Sequence, residues 1–306
     1  MAIDLKELSK KEELLLPGHR ACAGCGGTVA LRQVMRAVEG PVVVTCATGC
    51  MEVVTTIYPY TAWACSFMHN AFENSSATLS GIEAAWKILH RKGKVKERYN
   101  FIGFGGDGAS YDIGLQAISG AMERGHRLLY VCYDNGAYMN TGTQRSSATP
   151  FGASVTTAPA GKVHRGKEQF QKNLTEIIIA HEPAYVAQAS PHNFRDLMTK
   201  VQKALSKDGP TFINILASCN RGWRLKPELA IEACKVGVDC CYWPLYEYEN
   251  GKYTINYKPE EKVPVKTWME MQGRFAHLKK PGNEDVIEAL QQEIDRRWER
   301  LLKLAE

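Results

Sequence analysis

Short apolar runs alternate along this chain with stretches whose apolar residues recur every three to four positions, and that alternation predicts most of the fold. Leu79, Ile82, Ala85, Trp86 and Leu89 share one face of a helix expected from about residue 74 to Arg91. A second helix is expected from Val29 to Val38. The charged opening of the chain reads as a solvated helix that Pro17-Gly18 ends. Apolar strands are expected at 41–45, 99–104, 127–133, 184–189 and 211–216, with helices at 113–124, 168–181 and 193–206 between the later ones. Strands that are apolar throughout need cover on both faces. With helices as crossovers they predict an α/β, doubly wound, mostly parallel sheet.

Two stretches break the alternation. Residues 140–167 are rich in Thr, Ser, Gly and Pro without periodicity, the mark of a lid or binding loop. After Trp223 the character changes: aromatics gather at Tyr242-Trp243-Pro244, Asn250-Gly251 signals a hairpin, and Val286 to Leu304 is a charged amphipathic helix.

Composition narrows the class. A hydrophobic fraction of 44% with 23% charged residues excludes a disordered chain. The net charge of +5 is spread out, which argues against nucleic acid as a partner. The longest apolar runs, such as 212–217, fall far short of the roughly 20 residues of a membrane span. The mixed-charge N-terminus resembles no secretory signal, so no membrane is expected and the cytoplasm is the expected location. Ten cysteines in that setting point to reduced thiols and metal ligation rather than disulfides.

Cys22-Ala-Gly-Cys25 puts two sulfurs on one tight turn, where both reach a single centre. Alone, this spacing fits a redox dithiol, half of a zinc site, or chance. Cys50 and Cys219 are the candidate remaining ligands, whereas Cys46, Cys65 and Cys132 lie in apolar surroundings and read as core residues. A second signal follows the expected strand at 99–104, where Gly105-Gly-Asp-Gly108 lets the main chain approach a phosphate and leaves Asp107 as a hard oxygen ligand. The next strand ends at Asp134-Asn135. Ligands of parallel sheets bind at such carboxyl ends, so Asp107, the Asn135 side-chain oxygen and a nearby main-chain carbonyl make a candidate Mg²⁺ site.

Gly106-Asp107-Gly108 with Asn135 resembles the thiamine diphosphate-binding motif. Tyr133 to Gly142, reading Tyr-Asp-Asn-Gly-Ala-Tyr-Met-Asn-Thr-Gly, is similar to the version found in 2-oxoacid:ferredoxin oxidoreductases. The resemblance to the beta subunit of that family, especially its pyruvate branch, continues through Gly18-His19, Cys22 to Gly26, Ala47 to Val54, Tyr58 to Trp63, Ala71-Phe-Glu-Asn74, Gln144-Arg-Ser-Ser147 and Trp243-Pro-Leu245, and spans about Pro17 to Gly251. It implies a sheet of the thiamine diphosphate-binding type, with residues 1–223 as the cofactor-binding domain and 224–306 as an extension packing on it or on partner subunits. It implies a [4Fe-4S] cluster on Cys22, Cys25, Cys50 and Cys219, and Mg²⁺ on Asp107, Asn135 and the Ala137 carbonyl. Gly108, Ala109, Met139 and Asn140 would contact the diphosphate, Thr48, Gly49, Glu73 and Asn74 the rest of the cofactor, and Asn140 the reacting carbonyl. The implied activity is oxidative decarboxylation of a 2-oxoacid, with the acyl group passing to coenzyme A and electrons to ferredoxin. The implied partners are an alpha subunit that supplies the activating glutamate and gamma- and delta-type subunits that carry further clusters.

The pattern departs from the pyruvate branch at one place. Where Cys-Pro-Thr-Gly-Trp is usual, this chain reads Cys219-Asn-Arg-Gly-Trp223, so Arg221 adds a charge and leaves oxalate or a branched 2-oxoacid open as substrates. Two further readings compete: a cluster-free thiamine enzyme, for which 306 residues are too few to hold both cofactor domains, and a zinc-stabilised interaction module. His19 and His69 stand near the cysteines, but a lone histidine by a loop is commonly just hydrogen-bonded, and neither is assigned a role.

Overall fold

Eight strands make one sheet in the computed structural model, which describes residues 3–306. The chain runs through α1 (Leu5–Lys10), α2 (Gly26–Ala37), β1 (Val42–Ala47), α3 (Cys50–Thr55), β2 (Ser66–Asn70), α4 (Ser75–Arg91) and β3 (Asn100–Gly106) to a π-helical turn at Gly108–Ile113. It continues through α5 (Leu115–Glu123), β4 (Leu129–Asp134), α6 (Leu174–Ile179), β5 (Tyr185–Ala189), α7 (Phe194–Ser206) and β6 (Thr211–Leu216). The C-terminal part adds α8 (Ala230–Asp239), β7 (Tyr246–Glu249), β8 (Lys252–Ile255), α9 (Val265–Glu270), a 3₁₀ turn at Gly273–Lys279 and α10 (Glu284–Leu304). The strand order is β2-β1-β3-β4-β6-β5-β7-β8. The first six are parallel, and β7 and β8 close the edge as an antiparallel hairpin over Asn250-Gly251.

The doubly wound expectation holds, and strand alternation explains it. Val44, Cys46, Ile102, Phe104, Val131 and Ile213 point to the face covered by α2 and α7. Their chain neighbours Phe101, Tyr130, Cys132 and Phe212 point to the other face, which α4, α5 and α6 cover. A third cluster joins Trp223, Trp243 and Trp268 to α8, α9 and α10 and also takes in Leu216, at the end of β6. From β1 the chain steps outward to β2 and then returns across it to β3. The order therefore reverses between β1 and β3, which opens a crevice at their carboxyl ends.

Several local expectations are corrected. The opening helix stops at Lys10, and Leu14 to Leu16 instead run extended beside Ala62 to Ala64, burying Leu15 against Trp63. The helix expected at 168–181 shrinks to α6, because Gln171 and Lys172 turn inward to bond Asp134 and the Tyr111 carbonyl. The helix expected at 113–124 starts as the π-helical turn, with the Gly114 amide reaching back to the Ala109 carbonyl at 2.8 Å. Sequence patterns missed α3, β2, α8 and α9. Among the described residues no helix is long and apolar enough to cross a membrane.

Glu83 of α4, fully buried, ties the second layer to the sheet. It accepts from Lys87 at 2.7 Å, His126 at 2.8 Å and the Arg127 amide at 3.1 Å. Burial alone raises a carboxyl's pKa, but these bonds outweigh it and hold Glu83 below its ordinary value. A depressed folded-state value stabilises the protein above the unfolded value of about 4.3, and the stabilisation is lost as pH falls through the folded value. Glu83→Gln is expected to cost ~1–3 kcal/mol near neutral pH and to flatten the acid-side fall in stability, as urea titrations across the acid range will report.

Candidate active site

The carboxyl ends of β1, β3, β4 and β6 deliver the candidate residues to one edge of the sheet. Thr48, Gly49 and Cys50 follow β1, Asp107 and Gly108 follow β3, Asn135 and Ala137 follow β4, and Cys219 follows β6. All but Cys219 line a pocket of about 530 Å³ in the crevice, together with Met139 and Asn140. Asp107 is its sole carboxylate. A larger cavity lies under α10, but its chemistry is spent internally: Glu293 there pairs with Arg296 and Arg297.

Asp107 is 1% exposed, and Ser146 donates its hydroxyl to Oδ2. The Asn135 carboxamide bridges two acceptors, its nitrogen donating to Asp107 Oδ1 at 2.9 Å and to the Ala137 carbonyl at 2.9 Å. Turned over, the same amide would present its oxygen beside those two. Octahedral Mg²⁺ with bonds of 2.0–2.1 Å sets adjacent oxygens about 2.9 Å apart, so this donor set suits that ion. Burial first, and Asp134 next, raise the Asp107 pKa, and burial pushes Asp134 up to about 6. A divalent cation relieves that crowding of negative charge.

The four thiols approach from two loops and two helix N-termini. Cys25 caps α2 and Cys50 opens α3, while the Gly26 amide bonds the Ser218 carbonyl at 3.0 Å and so draws the Cys22–Cys25 turn to the Cys219 loop. Gly26 permits this approach, since a Cβ there would lie 2.5 Å from Ser218 Oγ. Cys50 is pushed up to about 12, by burial first and then by Cys219, Cys25, Asp107 and Cys22, and Cys219 is raised by burial first with Cys25 and Cys22 adding to it. The Gly222 amide donates to Cys219 Sγ at 3.2 Å, a bond suited to a metal-bound thiolate. Among the described residues no three His, Cys, Asp or Glu side chains close around a single metal ion.

One link between the two sets was invisible in the sequence. Trp223 of the cysteine loop donates Nε1–H to the Asn135 carbonyl at 2.7 Å, and the buried Arg274 guanidinium stacks on it at 4.4 Å. Met139 spans the same gap, packed so closely on Gly222 that a Cβ there would meet Sδ at 2.1 Å. Phe72, Tyr133, Tyr138 and Thr141 also line the pocket; they lie within the Ala71–Asn74 and Tyr133–Gly142 motifs but were assigned no role there. Ala109, Glu73 and Asn74 are not part of the wall: Ala109 is buried in the π-helical turn behind it, and Glu73 and Asn74 lie just before α4.

Residues 43–215 match the thiamine pyrophosphate enzyme family, C-terminal TPP binding domain. The chain is 49% identical to pyruvate synthase subunit PorB of Thermotoga maritima, over 100% of its own length and 98% of the relative's. It is 50% identical to PorB of Methanocaldococcus jannaschii, with 93% and 95% covered. With ketoisovalerate oxidoreductase subunit VorB of Pyrococcus abyssi it shares 44% identity, with 96% and 94% covered. A solved 2-oxoglutarate:ferredoxin oxidoreductase from Magnetococcus marinus, with 2-oxoglutarate, coenzyme A and succinyl-CoA bound, shares the fold at TM-score 0.55 and 20% identity, over 73% of this chain and 78% of that one.

Proposed function

The chain belongs to the family of 2-oxoacid:ferredoxin oxidoreductase beta subunits that includes PorB and VorB, and from that premise we propose that it is the cofactor-binding subunit of a multisubunit, cytoplasmic enzyme that oxidatively decarboxylates pyruvate. The acyl group goes to coenzyme A, and the electrons leave through a [4Fe-4S] cluster to ferredoxin. One observation carries the reading: Asp107, Asn135 and Ala137, joined through the Asn135 amide at 2.9 Å, stand in the same crevice as Cys50, whose electrostatic neighbours are Cys219, Cys25 and Cys22.

Asp107, Asn135 and the Ala137 carbonyl would hold Mg²⁺. Gly108, Met139 and Asn140 would hold the diphosphate, and Thr48 and Gly49 the remainder of the cofactor. When bound, thiamine diphosphate supplies the stabilised carbanion that attack on a 2-oxo carbon requires. Asn140, exposed at the pocket, would donate to the reacting carbonyl. Cys22, Cys25, Cys50 and Cys219 would ligate the cluster.

Asp107 is committed to the cation, which leaves no carboxylate in the pocket wall to activate the cofactor. As the family resemblance implies, a partner subunit would contribute it, and subunits with further clusters would carry the electrons onward. The exposed Arg221 directs its charge at solvent or a partner, which supports pyruvate over oxalate. The complex, isolated without oxygen, is expected to reduce a low-potential dye with pyruvate and coenzyme A, while the chain alone with thiamine diphosphate and Mg²⁺ is inactive. Full turnover by the isolated chain overturns the shared-site proposal.

A further inference from the structure

Arg274 is a buried cation without an acid beside it. It lies in the 3₁₀ turn Gly273–Lys279 of the C-terminal part, 1% exposed, and among the described residues no carboxylate comes within 4.0 Å of it. Three aromatic rings hold the guanidinium instead: Trp223 at 4.4 Å, Phe275 at 5.3 Å and Trp268 at 5.6 Å. Its Nε donates to Gln272 Oε1 at 2.8 Å, and Nη1 has no partner. We propose that Arg274 is a fixed positive charge held behind the Cys219 loop, where it raises the reduction potential of a cluster bound by the four cysteines. This rests on the [4Fe-4S] assignment proposed above.

Burying a charge is costly unless something answers it. Burial pushes Arg274 down to about 10, against which Tyr242, Asp134, Cys219 and Asp107 hold it up, so at neutral pH the side chain keeps its proton. The backbone fixes its place from two sides: the Arg274 amide donates to the Trp223 carbonyl at 3.4 Å, and the Arg274 carbonyl accepts the Ser154 amide at 2.9 Å. Trp223 is tied in turn to the Cys219 carbonyl, its amide donating at 2.8 Å. The charge is thus fastened to the cysteine loop and cannot turn to solvent. Rings and a carboxamide steady a cation without cancelling it.

A charge in this place has a task once iron is bound. Four thiolates leave the loaded centre net negative, and accepting one electron adds another unit of negative charge with no bond made or broken in the protein. A buried cation nearby favours the more negative state, because opposite charges attract far more strongly in a low-dielectric interior than in water. If Arg274 only braced the C-terminal part against the cysteine loop, removing its charge while keeping its shape would leave the potential where it was.

Arg274→Met keeps the length and the ring contacts and removes the charge. Gln272→Glu leaves the guanidinium in place and sets a carboxylate against its Nε. In the full chain reconstituted with iron and sulfide, redox titrations read by visible absorption and electron paramagnetic resonance are expected to show reduction about tenfold less favourable in both variants, about 59 mV lower for a one-electron couple. Arg274→Lys should stay near wild type. An unchanged potential in Gln272→Glu overturns the proposal, and that variant judges it even where Arg274→Met fails to fold. An equal fall in Arg274→Lys also overturns it, since lost packing then explains the effect. A wild-type chain that forms no chromophore ends the proposal together with the cluster assignment, whereas a loaded complex that oxidises no 2-oxoacid sinks only the activity, because the potentials need no substrate.

Discussion

Asp107→Asn is expected to abolish Mg²⁺-dependent binding of thiamine diphosphate to the chain while leaving it folded. The substitution keeps the shape of the side chain but removes the only carboxylate of the donor set it makes with Asn135 and Ala137. Loss of an outer-shell partner of a metal costs ~10–100-fold in affinity, and a direct anionic ligand costs more. Stability should move the other way in the absence of metal. The Asp107 carboxyl is buried beside Asp134, both are raised in pKa by burial, and the protein without metal carries that crowding as an internal cost. Calorimetric titration with thiamine diphosphate and Mg²⁺, paired with thermal unfolding of the metal-free chain, reads both arms. Retained binding at wild-type affinity would remove Asp107 from the cation site.

Cys219→Ser should be as severe for the other centre. Cys50 is pushed up to about 12 by its buried setting and by the neighbouring thiols, so gathering four thiolates here is unfavourable until iron neutralises them. Removing one ligand leaves three thiols and a Gly222 amide with no thiolate to bond. The variant is expected to lose the broad visible absorption that bleaches on reduction, along with its iron and sulfide. Cys46→Ser serves as the comparison, because that thiol is fully buried in the β1 core and its carbonyl-directed bond is internal. It should keep the chromophore and pay only in stability. Equal loss of iron in both variants would show that the effect is misfolding rather than ligation.

What was readable beforehand follows the range of the forces. The helix that became α4 and the strands β3, β4, β5 and β6 carry their periodicity in consecutive residues, and each formed within a few positions of where it was expected. Segments decided by distant contacts were misread. Leu14 and Leu15 have the composition of a helix end, yet they pair with a segment some fifty residues away because that buries Leu15 on Trp63. β2 reads as polar because an edge strand has one flank and much of one face in water, with only Asn70 buried.

The sequence by itself determined the kinds of chemistry present: a carboxylate on a glycine turn at the end of an apolar strand, and cysteines spaced for a shared centre. These are local facts, since side-chain type and strand pattern need no partner. Only the tertiary structure decided that the two meet, because β1, β3, β4 and β6 are neighbours through crossovers whose order reverses at one crevice. It also decided that Trp223 and Met139 join the cysteine loop to the cation loop. Such contacts arise from burial across the whole sheet, which depends on every strand at once and is written in no single segment.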